Sequence, residues 1–219
     1  MKIPLKRFGV SFSSMVALDM DSHWCGGFGG AAAAVINGLA AISHEIGLGY
    51  VELGMVSPIL PPSFYAENAS LIRETLSGLS LTVHTDCWQG TSLISPSDAV
   101  RSAAVSELSN QIQIAATVGG TIAVVHPNII DSPAKVVQTH TDRTLAESLR
   151  KLASVASDNG LLLGLENMSP KCGYCVTLSE IERILSMGGW RMSASCSIQA
   201  TAYGAGRMLH PFSKGSAPG

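Results

Sequence analysis

Four short apolar runs in this 219-residue chain each carry an ionisable residue at or beside their C-terminal end: Glu52 in Tyr50-Val51-Glu52-Leu53, His84 closing Leu79–His84, His126 closing Thr121–His126, and Glu166 closing Leu161–Glu166. The intervals between them are 32, 42 and 40 residues, each about the length of one strand-helix-loop unit. An apolar strand of this kind needs cover on both faces, which a parallel sheet obtains from its crossover helices. Parallel strands bring their C-terminal ends to one side, so residues far apart in sequence gather there. A charged or polar ring at the end of a buried strand is costly unless it is paired, ligated or facing a wet cavity. Four such ends in succession point to a site.

The intervening segments read as helices. One runs from about Ala31 to Ile46 and stops at Gly47-Leu48-Gly49; another runs from about Phe64 to Leu76, with Glu67, Arg73 and Glu74 on its polar side. Ser95-Pro96-Ser97-Asp98 opens a third, which ends before Gly119-Gly120. A fourth covers roughly Asp142–Ser157, and Thr177-Leu178-Ser179-Glu180 begins a fifth reaching about Met187. With Phe8–Phe12 as a first strand, the pattern predicts an α/β fold: a TIM-type (β/α) barrel holding about five to six of eight units. An open doubly wound sheet is the alternative. Residues 1–188 are read as the partial barrel domain and 189–219 as an irregular tail.

Composition excludes several classes. The net charge of −2, with no Lys/Arg block, does not supply the surface that nucleic acid or an anionic membrane requires. Five scattered cysteines, an odd number, do not form a disulfide framework and suit a reducing compartment. The basic start Met1–Arg7 is not followed by an apolar h-region, and the Gly/Ala-rich stretch Gly26–Ile42 is too short to span a bilayer, so a cytoplasmic protein with no membrane partner is expected.

Taken singly, His84 or His126 would be an ordinary hydrogen-bonded histidine, and Glu52 could pair with a basic side chain from a neighbouring loop. Their shared placement with Glu166-Asn167 favours a metal or substrate cluster, because the run Leu161–Leu165 leaves the Glu166 carboxylate solvated only at a barrel mouth. Cys172-Gly173-Tyr174-Cys175 has the spacing of a redox or zinc knuckle but lacks a second Cys/His pair at zinc-finger distance. Gly26-Gly27-Phe28-Gly29-Gly30 lacks the ending of a phosphate loop and reads as a loop. His23, His44, His140 and His210 carry no pattern, and neither a Ser/His/Asp triad nor a Gly-x-Ser-x-Gly elbow is present.

Gly49–Leu53, Thr82-Val83-His84, Ala115–Pro127 and Leu163-Gly164-Leu165-Glu166-Asn167, in this order and spacing, resemble the xylose-isomerase-like TIM barrels, which include sugar and sugar-phosphate isomerases and epimerases and endonuclease IV. The resemblance covers about residues 6–187. It implies that Glu166 is a metal-binding and catalytic carboxylate and that His84 and His126 contact substrate or bind the metal. Glu52 and Asn167 would contact substrate. The implied cofactor is a divalent ion, Mn, Mg, Co or Zn, which polarises a sugar while a carboxylate moves a proton through an enediolate. A small carbohydrate is the implied substrate. The endonuclease reading fits less well, because Thr85-Asp86-Cys87-Trp88 follows His84 where that branch has a small-Pro-Tyr stretch. A non-catalytic α/β binding protein is a third reading.

The resemblance breaks after residue 188. The next family strand should deliver Asp and His, yet Met192–Ala200 contains neither, and no Asp or Glu occurs from Trp190 to Gly219. Read one base out of register, the possible codons of Met192–Ala202 accommodate Val-Gly-Leu-Val-Leu-Asp-Thr-Gly-His, so the tail is read as out of frame, to be tested by sequencing the gene. The chain as written is accordingly expected to be nearly inactive, with weak metal binding, and to self-associate through an open sheet edge.

Overall fold

The computed structural model describes residues 9–11, 31–55, 61–86, 91–127, 138–168, 174–190 and 199–201. Its strands are β1 Gly9–Ser11, β2 Tyr50–Gly54, β3 Ser80–His84, β4 Gly120–Val125, β5 Leu162–Glu166 and β6 Gln199–Thr201. The helices are α1 Ala31–Ile46, α2 Pro62–Glu67, α3 Ala69–Thr75, α4 Asp98–Thr117, α5 Gln138–Asp158 and α6 Leu178–Gly188. All six strands are parallel and neighbours in the order of the chain, the arrangement of a partial (β/α) barrel. No helix among the described residues is long and apolar enough to cross a membrane.

Strand alternation sorts the side chains into two sets. Val51, Leu53, Leu81, Val83, Ala123, Val125, Leu163 and Leu165 form one set, none more than 3% exposed, and belong to the core. Against this side α4 packs on β4 and α5 on β5, and α4, α5 and α6 lie side by side. Each fully buried Leu or Val here contributes about 1.5–3 kcal/mol, which makes the helix-facing side the principal source of stability. The other set, on the concave face, includes Glu52, Thr82, His84, Ile122 and Leu162, all half-buried.

One irregularity decides what the concave face carries. Leu81 is paired with Gly120 but Thr82 with Ile122, so Thr121 is an extra residue, and its hydroxyl donates to the Leu81 carbonyl at 3.0 Å. A one-residue slip exchanges the two faces of a strand. Without the bulge, Ile122, Val124 and His126 would turn toward the helices. The entry to β4 is tight: Gly119, at φ 88°, ends α4 in the left-handed region, and a Cβ on Gly120 would stand 2.7 Å from the Ala115 carbonyl oxygen.

The helix predicted over 64–76 is two helices. The Asn68 side-chain amide donates to the Phe64 carbonyl at 2.8 Å beside the Asn68 backbone amide at 3.1 Å, and Asn68 itself, at φ −104° and ψ 12°, leaves helical geometry. From α2 the buried Tyr65 hydroxyl donates to the Gly54 carbonyl of β2 at 2.6 Å. Farther along, Asp142 of α5 is 1% exposed and accepts from the Tyr174 hydroxyl at 2.8 Å and from Arg183 Nε of α6 at 2.6 Å. Residues 199–201, inside the segment read as an irregular tail, form β6 on the edge of β5, with Thr201 in register with Glu166. The edge strands among the described residues are therefore β1 and β6. The remainder of 191–219, like Cys172 and Gly26–Gly30, lies outside the described residues.

Candidate metal centre

His84 is the last residue of β3, His126 follows the end of β4, and Glu166 is the last residue of β5. Gly54, His84, Val124 and Gly164 share one register row, and His126 and Glu166 lie two residues beyond it on the same concave face. There the three side chains meet. His84 Nε2 is 2.6 Å from Glu166 Oε2, and His126 Nε2 is 3.1 Å from the same oxygen. The two imidazoles stand edge to face, with ring centroids 4.5 Å apart and planes at 76°.

The electrostatics follow from that contact. Burial favours the neutral form of Glu166, but hydrogen bonds from His126 and His84 and the charge of both rings outweigh it, bringing the carboxyl down to about 2. Burial likewise opposes charge on His126, yet the contacts with Asp86 and Glu166 and the two carboxylate charges lift it to about 9.

The backbone around the centre is firmly held. The Met55 amide donates to the His84 carbonyl at 2.8 Å, while the Thr85 amide and hydroxyl both donate to the Val124 carbonyl, at 2.9 and 2.8 Å. Asp86 is clamped by Gln111 of α4: its amide donates to Gln111 Oε1 at 2.9 Å, and Gln111 Nε2 donates to its carbonyl at 2.8 Å. Its carboxylate faces the far side of the His126 ring, with Oδ1 3.7 Å from Nδ1, an ion-pair distance rather than a direct hydrogen bond.

Two imidazoles and a carboxylate are the donor set of a divalent transition-metal ion, and one ligand atom from each lies within 4.8 Å of the others. His84, His126 and Glu166 are thus brought together as the strand-end pattern predicts. Glu52 shares their concave face but stands on β2 opposite Ser11 and Thr82, two residues before the His84 row, and is not one of the grouped donors. Asn167 follows Glu166, half-buried, beyond the strand. Asp86 and Gln111 did not stand out in the sequence, where the only signal is an acid two residues past a strand-end histidine. Cys175 is fully buried at φ 54°, and burial, with the Glu180 and Asp142 charges, pushes its thiol up to about 12, which opposes thiolate chemistry.

Residues 40–191 match the family described as the xylose isomerase-like TIM barrel. No curated protein matches the chain. Among solved structures, a D-psicose 3-epimerase crystallised in the presence of D-fructose is similar with a TM-score of 0.64 at 17% identity, over 88% of this chain and 62% of that one. A D-allulose 3-epimerase from Methylomonas sp., in complex with D-allulose, gives 0.63 at 16% identity, over 88% and 61%. A Thermus thermophilus protein soaked with ZnCl2 gives 0.50 at 25% identity, over 67% and 57%. The chain spans less than two thirds of the length of each of these structures, and the likeness to the two epimerases is one of fold.

Proposed function

Because the chain belongs to the xylose isomerase-like TIM barrel family, we propose that its concave face is the metal-binding part of a sugar isomerase or epimerase. The observation that carries this reading is the convergence of His84, His126 and Glu166 from three strands onto one carboxylate oxygen. Nε2 of each imidazole and Oε2 of Glu166 would hold the ion. When bound, a divalent metal polarises the neighbouring carbonyl and hydroxyl oxygens of a ketose or aldose.

The protein's own contribution is orientation and charge. Glu166 is ionised at any physiological pH, as a ligand or a proton-accepting carboxylate must be. Its contacts with both rings, and the Thr85 bonds to β4, hold the donors in place before an ion arrives. Glu52 and Thr82 supply polar groups on the concave face for sugar hydroxyls, and Asn167 adjoins the centre in sequence. The Asp and His expected of the next family strand are absent from Met192–Ala200, so we expect weak binding and low turnover.

The test is calorimetric titration of the chain with Mn²⁺ and Zn²⁺, followed by incubation of ketoses and aldoses in D₂O with each ion. Saturable binding that weakens at least tenfold in Glu166→Ala, about 1.4 kcal/mol, together with deuterium entering the carbon beside the carbonyl, is the expected result. Unchanged affinity in Glu166→Ala removes the site. Cleavage of abasic-site DNA without sugar exchange would transfer the assignment to the endonuclease branch of the family, for which a two-imidazole zinc site is also suitable.

A further inference from the structure

We propose that Asp86 is a positioning residue for the metal centre: anchored to α4 through Gln111, it holds the His126 ring so that Nδ1 carries the proton and Nε2 presents its lone pair to the ion. The inference rests on the metal-site reading above and adds to it the device that selects one of two possible ring tautomers.

The argument starts from the imidazole. A neutral histidine carries its proton on one nitrogen only, and a metal requires the other to be free. His126 Nε2 faces the grouped donors, 3.1 Å from Glu166 Oε2, so binding there requires the proton on Nδ1. Nδ1 faces Asp86 Oδ1 at 3.7 Å. An ionised carboxylate only accepts, so each nitrogen of the metal-free ring faces an acceptor, Glu166 at Nε2 and Asp86 at Nδ1; once an ion takes Nε2 and Glu166 together, Asp86 is the acceptor left to keep the remaining proton on Nδ1.

The second part of the argument is why Asp86 stands where it does. It lies beyond the end of β3, where a loop would ordinarily be free to move. Gln111, only 2% exposed, meets both the amide and the carbonyl of Asp86, so a single side chain supplies the two hydrogen bonds that a neighbouring strand would give. Thr85, immediately before it, is tied twice to the Val124 carbonyl. The carboxylate therefore projects from a backbone fixed to both the sheet and a helix, and carboxylate partners of this kind set ligand orientation in metal sites.

Asp86→Asn keeps the shape and both main-chain bonds to Gln111 but places an amide, able to donate, beside Nδ1. Zn²⁺ affinity is expected to fall about 10- to 100-fold. The Co²⁺ visible spectrum should change as well, because an imidazole leaves the ion. Asp86→Ala, which also retains the main-chain bonds, should weaken binding in the same direction. Loss in Glu166→Ala with affinity retained in Asp86→Asn and Asp86→Ala overturns this inference alone. So does a weaker Asp86→Asn whose Co²⁺ spectrum matches that of the unaltered chain, since that indicates a packing role. Absence of saturable binding by the unaltered chain, or unchanged affinity in Glu166→Ala, overturns the metal site and the inference with it.

Discussion

His84 and Glu166 sit on strands that are not neighbours, β3 and β5, yet their side chains meet at 2.6 Å across β4. Strands two apart in a flat sheet are separated by about 9–10 Å, so the two side chains must lean toward each other over the intervening strand. His126, just past the end of that intervening strand, completes the group. Ordinary sheet pairing, with one bulge, thus assembles the centre.

The charges of this group make the metal-free protein's stability depend on pH. Glu166 has a folded pKa of about 2 against an ordinary 4.5, so its contribution is complete above 4.5 and lost as pH falls toward 2. His126 has a folded pKa of about 9 against 6.5, so its contribution is complete below 6.5 and lost as pH rises toward 9. Urea midpoints of the metal-free chain should be highest between about pH 4.5 and 6.5 as far as these two groups are concerned, and should decline from pH 6.5 to 9. A midpoint that rises over that alkaline interval would contradict the ion pairing.

Removing Arg183 should cost more than neutralising its partner. Arg183→Ala leaves the nearly inaccessible Asp142 carboxylate with the Tyr174 hydroxyl but no guanidinium, a loss of about 2–4 kcal/mol by analogy with broken buried pairs. Asp142→Asn removes the buried charge, while the Arg183 side chain, 36% exposed, can be hydrated. Chemical denaturation of both variants should rank Arg183→Ala as the less stable; the reverse order would mean that the pair does not neutralise Asp142.

Two glycine-to-alanine changes should have opposite signs. At Gly120 the added carbon meets the Ala115 carbonyl oxygen at 2.7 Å and Val83 Cγ2 at 3.0 Å, and since the first is backbone, a loss of roughly 1–3 kcal/mol is expected. At Gly38, inside α1, nothing lies within 4 Å, so alanine should stabilise by about 0.5–1 kcal/mol through helix propensity. Thermal unfolding of the two variants measures both.

Thr177 caps α6 by accepting from the Glu180 amide at 3.3 Å, and Glu180 Oε2 returns the interaction to the Thr177 amide at 2.9 Å. Thr177→Ala should therefore cost about 1 kcal/mol, and Thr177→Ser much less. Equal midpoints for the alanine and serine variants would show that the cap contributes nothing.

The strand ends were legible because a buried apolar run closing on His or Glu is a one-dimensional pattern, and parallel topology converts it into a shared location. The α/β barrel order was legible for the same reason. The Asn68 break was not, because it is the departure of a single residue from helical geometry, which periodicity does not register. Nor was the clamp on Asp86, which depends on a polar residue buried in the middle of α4 reaching a loop 25 positions earlier in the chain. Glu52 shows the limit of the pattern from the other side: it shares the concave face, but its register row lies below that of His84.

The alternation along β2 to β5 also has an evolutionary consequence. Residues that secure the helices and residues that meet at the centre occupy opposite parities of the same short strands, so a substitution usually affects folding or chemistry but seldom both. Substitutions on the concave parity leave intact the alternate residues that hold the helices.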